Sequence, residues 1–293
     1  MNSISAQALE PVTCPCGSAT ASRGRRGLWR ELLRCQRCGL LAKDHIPPEV
    51  ELIKWYQEDY WKRFQDEQIG PSRHNLYIHV LEWLRALAPH PGTLVDVGCG
   101  AGTLLAFCPQ WGWKGIGFDP SSAAVAYAQA SGLDVSRLSW PPCSLADETA
   151  DAITFINVLD HLRAPFAALT EAWRVLRPGG LLYIRVPNGP VHARFISLLS
   201  VVGLDHLAVM HLYAFGREAF VHHLPRLGFV VEALRTAPPS QGDPYGQKGR
   251  LVAALRCSLR GMNRLAHRLL ADLGLDRMAW GLSLEVMARK IPR

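Results

Sequence analysis

The spacing of apolar positions changes along the chain, and each change predicts a different kind of structure. The segment EVELIKWYQEDYWKRF is an aromatic helix candidate. After Gly70-Pro71, SRHNLYIHVLEWLRAL carries Leu76, Val80, Leu81, Leu84 and Leu87 at helical spacing, with Ser72 placed as a cap. From Gly92 onward, short apolar runs alternate with helical stretches, as in a parallel sheet wrapped by helices. TLVDVG, GIGFD, LDVSRL, DAITFINVL and GLLYIRVPN read as successive strands. GTLLAFCPQWG, SSAAVAYAQASG and PFAALTEAWRVLRPGG read as the helices between them. In the last helix Pro165 suits the first turn, Phe166, Leu169, Trp173 and Leu176 line the inner face, and Gly179-Gly180 ends it. EAFVHHLPRLG then predicts a helix, FVVEALRT a strand, residues 238–249 a turn-rich loop and residues 251–274 an amphipathic, arginine-studded helix. SLEVMARK alternates like a final strand. Two strands flanking a helical insertion predict an antiparallel hairpin that closes the sheet edge.

Four regions follow: a cysteine-rich module over 1–45, a helical connector or lid over 46–91, an α/β core over 92–237, and a closing loop, helix and strand over 238–293. Residues 1–13 read as loose. An apolar fraction of 48% against 19% charged leaves enough material for a sizeable core. No run of apolar residues is long enough to span a bilayer, and the N-terminus lacks the basic and apolar regions of a secretory signal, so the expected location is cytoplasmic. The net charge of +7 is compatible with nucleic acid, an anionic substrate, a membrane surface or solubility alone. The 251–274 helix could lie on a membrane or a partner, but its Leu and Arg spacing fits a core-packed helix as well.

The most informative stretch is Asp96-Val97-Gly98-Cys99-Gly100-Ala101-Gly102, where an apolar strand feeds a helix. Glycines there let the backbone turn tightly and approach a ligand, with a helix N-terminus aimed at it. The next strand ends in Asp119, a carboxylate able to accept hydrogen bonds from both hydroxyls of a ribose. Dinucleotide sites use G-x-G-x-x-G, whereas here the spacing is G-x-G-x-G and Thr103 stands at the third dinucleotide glycine. An acid beside the loop suits a ligand that carries an amino-acid arm in place of a pyrophosphate.

DVGCGAG, GFDPS, NVLDHL, RVLRPGGLLYIRVPN and HLYAFGREAF with LGFVV together resemble a class I S-adenosylmethionine-dependent methyltransferase, of the small-molecule type found in sugar and natural-product pathways. The likeness covers about residues 92–235. It implies a Rossmann-like seven-stranded sheet with its last strand antiparallel and helices on both faces. It also implies S-adenosylmethionine at the carboxyl ends of the first strands. Gly98, Gly100 and Gly102 would pack against that cofactor and Asp119 would bind its ribose; Asp96, from its own place beside the loop, would help neutralise the ammonium and sulfonium side or orient the loop that does. Many members carry an acid after the third strand to hold the adenine. That place falls near Ser139-Trp140, so adenine recognition is expected from the Ser139 hydroxyl or from packing on Trp140.

Methyl transfer needs an aligned nucleophile and, for a hydroxyl, a base to take its proton. Residues after strands four and five are the candidates: Asn157, Asp160 and His161, then Asn188, His206, His211 and Tyr213. His161 and His211 are the best-tuned bases near neutral pH, although either could equally order a loop. Tyr56, Tyr60 and Trp61 could form a lid or simply pack on the core.

Cys14, Cys16, Cys35 and Cys38 form two knuckles, each followed by glycine, a pattern that favours metal over disulfide in a cytosolic chain. The flanking CPCG and RCQRCGL resemble the N-terminal zinc-binding region that some of these methyltransferases carry. The first knuckle is one residue shorter than C-x-x-C, and His45 could replace one ligand. A closed four-thiolate site would be structural. Arginines around it leave open an RNA methyltransferase with a zinc docking element, although the stacked aromatics of RNA-binding motifs are absent. A third reading is a binding or scaffold protein that kept the fold and lost the chemistry. The oligomeric state is left open.

Overall fold

The structure, a computed structural model, describes residues 14–17, 21–23, 32–43, 46–88, 90–193, 212–238 and 281–292. A seven-stranded sheet forms the centre. Its strands are β4 (Thr93–Val97), β5 (Lys114–Asp119), β6 (Val135–Arg137), β7 (Ala150–Ile156), β8 (Leu176–Pro187), β10 (Phe229–Thr236) and β11 (Ser283–Lys290). The spatial order is β10-β11-β8-β7-β4-β5-β6. The five strands from β4 to β8 run parallel, and β11 is antiparallel to both β8 and β10. From β4 the chain proceeds to β5 and β6 on one side, then returns to place β7 and β8 on the other. That reversal opens a crevice at the carboxyl ends of β4 and β7, where ligands bind in open α/β sheets.

Helices cover the sheet: α3 (His74–Leu87), α4 (Thr103–Phe107), α5 (Ser122–Ala130), α6 (Pro165–Val175) and α7 (Arg217–His223). The apolar stripe read from the sequence is the buried face of α3, where Val80, Leu81 and Leu84 are fully enclosed. Upstream, α1 (Glu49–Trp55) continues through a π-helical stretch, Tyr56–Tyr60, into α2 (Trp61–Ile69).

Three details depart from the sequence pattern. Ser72 does not cap α3; it lies inside a short 3-10 turn, Pro71–Arg73, and Arg73 stands at the cap position without a side-chain cap bond. Helix α6 ends at Val175 rather than at Gly179-Gly180. Leu176 turns extended and pairs with Ala150; two residues on, Pro178 disfavours helical backbone at Arg177 and has no N–H to continue the helical ladder. The glycines instead serve a turn inside β8, with Gly179 at φ +76°. Finally, β11 does not alternate between core and solvent, because it lies between two strands with both faces covered. Its Glu285 is fully buried and satisfied: Arg235 Nε donates to it at 2.7 Å, Tyr183 Oη at 3.0 Å, and His79 Nε2 lies 3.1 Å away.

A second, four-stranded sheet lies beside the first. It joins β1 (Ala21–Arg23), β2 (Leu32–Cys35) and β3 (Leu41–Lys43) to β9 (Tyr213–Ala214), all antiparallel. Cys14, Cys35, Cys38, Leu40, Ala42 and Tyr213 share one apolar cluster with Leu159, Phe166 and Phe220 of the large sheet's covering layer.

Candidate active site

The crevice at the strand reversal deepens into a cavity of about 620 Å³, within the range of small-molecule sites. Its floor is the turn after β4. Gly98 and Gly100 have φ of +72° and +54°, and a Cβ added to either would collide, with Val158 at the first and with Gln68 Oε1 at the second. Only glycine gives this backbone both the left-handed turn and the close approach. Gly102, at φ +74°, stands apart from the cavity: it starts α4 and packs against Leu133 and Ala128.

Two carboxylates stand at adjacent strand tips. Asp119 ends β5 and is nearly buried; its Oδ2 accepts from the Gly100 N–H at 2.9 Å and its Oδ1 from the Ser121 N–H at 2.8 Å. Burial raises its pKa despite those two donors. Each oxygen keeps lone-pair capacity for a further donor. Asp96, inside β4, accepts from Thr154 Oγ1 at 2.6 Å. Burial, opposed by that bond and reinforced by the charge of Asp119, pushes Asp96 up to about 7. A buried carboxylate so strained by desolvation gains most from a cation placed beside it.

The far side of this end is closed by the connector. Gln68, Arg73 and Tyr77 line the cavity from α2 and the start of α3. Gln68 Oε1 accepts from the Ala101 N–H at 3.2 Å and its backbone carbonyl from Thr103 Oγ1 at 2.6 Å, so the connector is fastened to the glycine turn. No local pattern marks these residues in the sequence, since each acts across a turn of chain that folds back over the sheet.

Ser139 and Trp140 line the cavity beyond β6. Trp140 Nε1 donates to the Ala168 carbonyl at 3.0 Å, and its ring packs 5.7 Å from Phe118, so it offers a face rather than a donor. Asn157, at the tip of β7, has φ +57°, and its Oδ1 accepts from Arg185 at 2.6 Å. Beyond it, Leu159–His161 forms a 3-10 turn. His161 lines the cavity, with Nε2 at 3.6 Å from the buried Asp160 Oδ2. Leu52, Ile53, Tyr56, Tyr60 and Leu162 complete an apolar and aromatic wall around it. The Tyr56 ring meets His161 edge-on at 6.3 Å between centroids, and burial holds its phenol well above the ordinary tyrosine range. Trp61 turns away and packs on Tyr127.

One cavity therefore collects Asp96, Gly98, Gly100, Asp119, Ser139, Trp140, Asn157 and His161. Asn188 stands elsewhere, bonded to Gly281 and Leu282, and Tyr213 donates to the Arg163 carbonyl at 2.9 Å. His45, His206, His211 and the 251–274 helix lie outside the described residues.

Residues 72–234, over half of the chain, match the methyltransferase domain family. The chain belongs to this family. Among curated proteins, the ubiquinone biosynthesis O-methyltransferase of Pseudomonas entomophila is 29% identical over 164 residues, 53% of this chain and 66% of that protein. Its counterpart from Nitrosococcus oceani is 30% identical over 160 residues, 52% of this chain and 63% of that protein. The aligned stretch thus spans less than two thirds of either relative. Among solved structures, geranyl diphosphate C-methyltransferase from Streptomyces coelicolor aligns with a TM-score of 0.52 at 15% identity, covering 74% of this chain and 82% of that one. A SAM-dependent methyltransferase from Archaeoglobus fulgidus gives 0.50 at 18% identity, covering 79% and 100%. At these identities the structural likeness is one of fold. The family match contains the glycine turn, both carboxylates and His161, while the cysteine module precedes it.

In that module the sulfurs of Cys14, Cys16, Cys35 and Cys38 all lie within 4.8 Å of one another. Cys14 faces Cys38 and Cys16 faces Cys35, each at 3.6 Å, so the knuckles interleave. The short Cys14-Pro15-Cys16 knuckle does not keep its thiols apart. Among the described residues, no helix is long and apolar enough to cross a membrane.

Proposed function

We propose that this methyltransferase-family chain moves a methyl group from S-adenosylmethionine to a hydroxyl of a small acceptor with a largely apolar body. The observation that carries the reading is Asp119, fixed by two backbone donors above a floor whose left-handed backbone and close neighbours favour glycine. A ribose diol fits its remaining lone pairs. The methionine end fits the charges opposite: Asp96 for the ammonium and Arg73 for the carboxylate. Adenine packs on the face of Trp140, with the Ser139 hydroxyl at its edge.

The cofactor supplies a methyl group already activated by its sulfonium. The chain's part is to align the acceptor and handle its proton. His161 takes that proton as the acceptor oxygen bonds to the methyl carbon and the carbon–sulfur bond breaks, leaving S-adenosylhomocysteine. Asp160, 3.6 Å away, favours the imidazolium that results. The wall of Leu52, Ile53, Tyr56, Tyr60 and Leu162 supports an aromatic or aliphatic body over a bare sugar. That the curated relatives are named O-methyltransferases supports oxygen as the acceptor atom.

The second part of the proposal is a structural zinc ion in the N-terminal module. Tetrahedral zinc with bonds of about 2.3 Å to sulfur needs sulfurs about 3.8 Å apart. Two sulfur pairs at 3.6 Å, with all four sulfurs within 4.8 Å of one another, support such a site. Four protein ligands leave no open position for chemistry.

Calorimetric titration with S-adenosylhomocysteine tests the cofactor site. Micromolar binding is expected, weakened at least ~100-fold by Asp119→Ala, since two charge-assisted bonds at about 1.5–3 kcal/mol each are lost. Equal affinity in the two proteins overturns the assignment. Purified protein should hold one zinc per chain by elemental analysis.

A further inference from the structure

The cysteine module is bonded to the same turn that carries His161. The second knuckle runs straight into β3: the Cys35 N–H donates to the Leu40 carbonyl at 2.9 Å, and the Gly39 N–H to the Cys35 carbonyl at 3.0 Å. Strand β3 then pairs with β9, Leu41 opposite Ala214 and Ala42 opposite Tyr213. The Leu212 peptide is the joint. Its carbonyl accepts from the Lys43 N–H at 3.0 Å, while its own N–H donates to the Asp160 carbonyl at 2.9 Å. Two further bonds hold the far end of the wall: Tyr213 Oη to the Arg163 carbonyl at 2.9 Å, and Arg163 Nη1 to the Pro47 carbonyl at 3.0 Å. Behind them Leu159 and Phe166 share an apolar cluster with Cys14, Cys35, Cys38 and Leu40.

The cofactor end has other supports. Gly98, Gly100 and Asp119 hang from β4 and β5, and Gln68 ties the connector to the glycine turn. None of these bonds passes through the cysteine module.

We infer that the four-cysteine module mounts the acceptor-side wall: metal held by the thiolates sets the position of residues 158–164, and with it His161, without setting cofactor affinity. The inference rests on the cofactor and zinc assignments above. Residues Lys43, Leu212 and Tyr213 are positioning residues, acting through the backbone of the turn. A ladder this short holds its register only if something else keeps β2 and β3 in place, and a cross-link between Cys14–Cys16 and Cys35–Cys38 does that at their base.

The test uses the full chain in three forms: zinc-loaded, stripped with chelator under reducing conditions, and Lys43→Pro, which keeps all four cysteines but removes the N–H that bonds Leu212. Each is followed by amide hydrogen exchange over 158–164 and by S-adenosylhomocysteine titration. Stripping and Lys43→Pro should each speed exchange over 158–164 about ten-fold or more, with cofactor affinity held within about three-fold. Unchanged exchange in the stripped protein overturns the role of the metal, and unchanged exchange in zinc-replete Lys43→Pro overturns the mount itself. Loss of cofactor binding together with protection throughout the chain also overturns the inference, because the module would then serve folding as a whole. If the loaded protein binds no S-adenosylhomocysteine, the cofactor reading fails while the exchange result still stands. If it holds no zinc, the metal reading and the metal's part in the mount fail together, and Lys43→Pro alone decides the strand joint.

Discussion

The two sheets of this molecule are closed in different ways. The seven-stranded sheet ends in a hairpin whose central strand, β11, pairs along its whole length with β8 and β10 and is pinned by a buried acid. The four-stranded sheet ends in β9, two residues long, reached from far along the chain. One closure is redundant and the other thin. Redundancy suits the scaffold that fixes the carboxylates of the site. A thin joint suits a wall whose position depends on a separate module.

The largest test of that contrast is Glu285→Ala. It strips Arg235, Tyr183 and His79 of their shared acceptor inside the redundant closure. Breaking a buried charge network should cost about 3 kcal/mol, read as a lower urea midpoint with unchanged slope. The wild-type protein should lose part of this stabilisation in acid. Burial raises the Glu285 pKa, but His79 and Arg235 outweigh it and the net shift is downward. The stability it contributes is therefore present above the ordinary value of 4.5 and lost as pH falls through the lower folded value.

Next in size is Gly100→Ala, at the floor of the site. The left-handed backbone costs an alanine about 1–2 kcal/mol, and its methyl must displace Gln68. Stability should fall by about that amount and cofactor affinity by about ten-fold, measured on one preparation by denaturation and titration.

Asp96 should give a pH effect with the opposite sign to that of Glu285. Asp96 rises from 3.8 to about 7, so the folded state holds a proton there that the unfolded chain has released. Its contribution to stability diminishes as pH climbs from about 4 to about 7. A bound ammonium favours the ionised carboxylate, so affinity for S-adenosylhomocysteine should increase over the upper part of that range. Asp96→Asn should flatten the dependence, and proton release on binding should vanish with it when titrations are compared across buffers. The smallest effect is expected from Arg34→Ala. The Arg34–Glu218 pair bridges the cysteine module and α7, but both side chains are more than half exposed. Its loss should change stability by less than about 0.5 kcal/mol, leaving the β3–β9 bonds as the joint that matters.

The floor of the site is legible in the sequence, and the roof is not. Strand runs such as TLVDVG and DAITFI carry their own apolar signal, and Gly98, Gly100 and Asp119 sit at turns that local chemistry dictates. Gln68, Arg73 and Tyr77 reach the cavity only because α1 to α3 fold back over the sheet, a long-range event with no local mark. The same holds for the joint at Leu212, where a single peptide links two segments distant in the chain. The end of α6 is a milder case. A glycine pair looks like a helix stop, yet the proline before it and the ladder to Ala150 end the helix earlier. The alternation of SLEVMARK misleads for a further reason: Glu285 looks solvent-facing until β10 and α3 bring Arg235 and His79 to it.

The open end of the β10–β11 pair is fixed as one frame. Thr236 pairs with Leu284, the Ala237 N–H donates to the Ser283 carbonyl, and the Gly281 N–H reaches Thr236 Oγ1. Asn188, at the tip of β8, grips the same returning strand through Gly281 and Leu282. The chain leaves the sheet and re-enters it through one doorway with a secured frame. Thr236 Oγ1 and the Asn188 side chain hold the N–H and the carbonyl of one residue, Gly281, so a change at any of these three positions should loosen both sides of the doorway together.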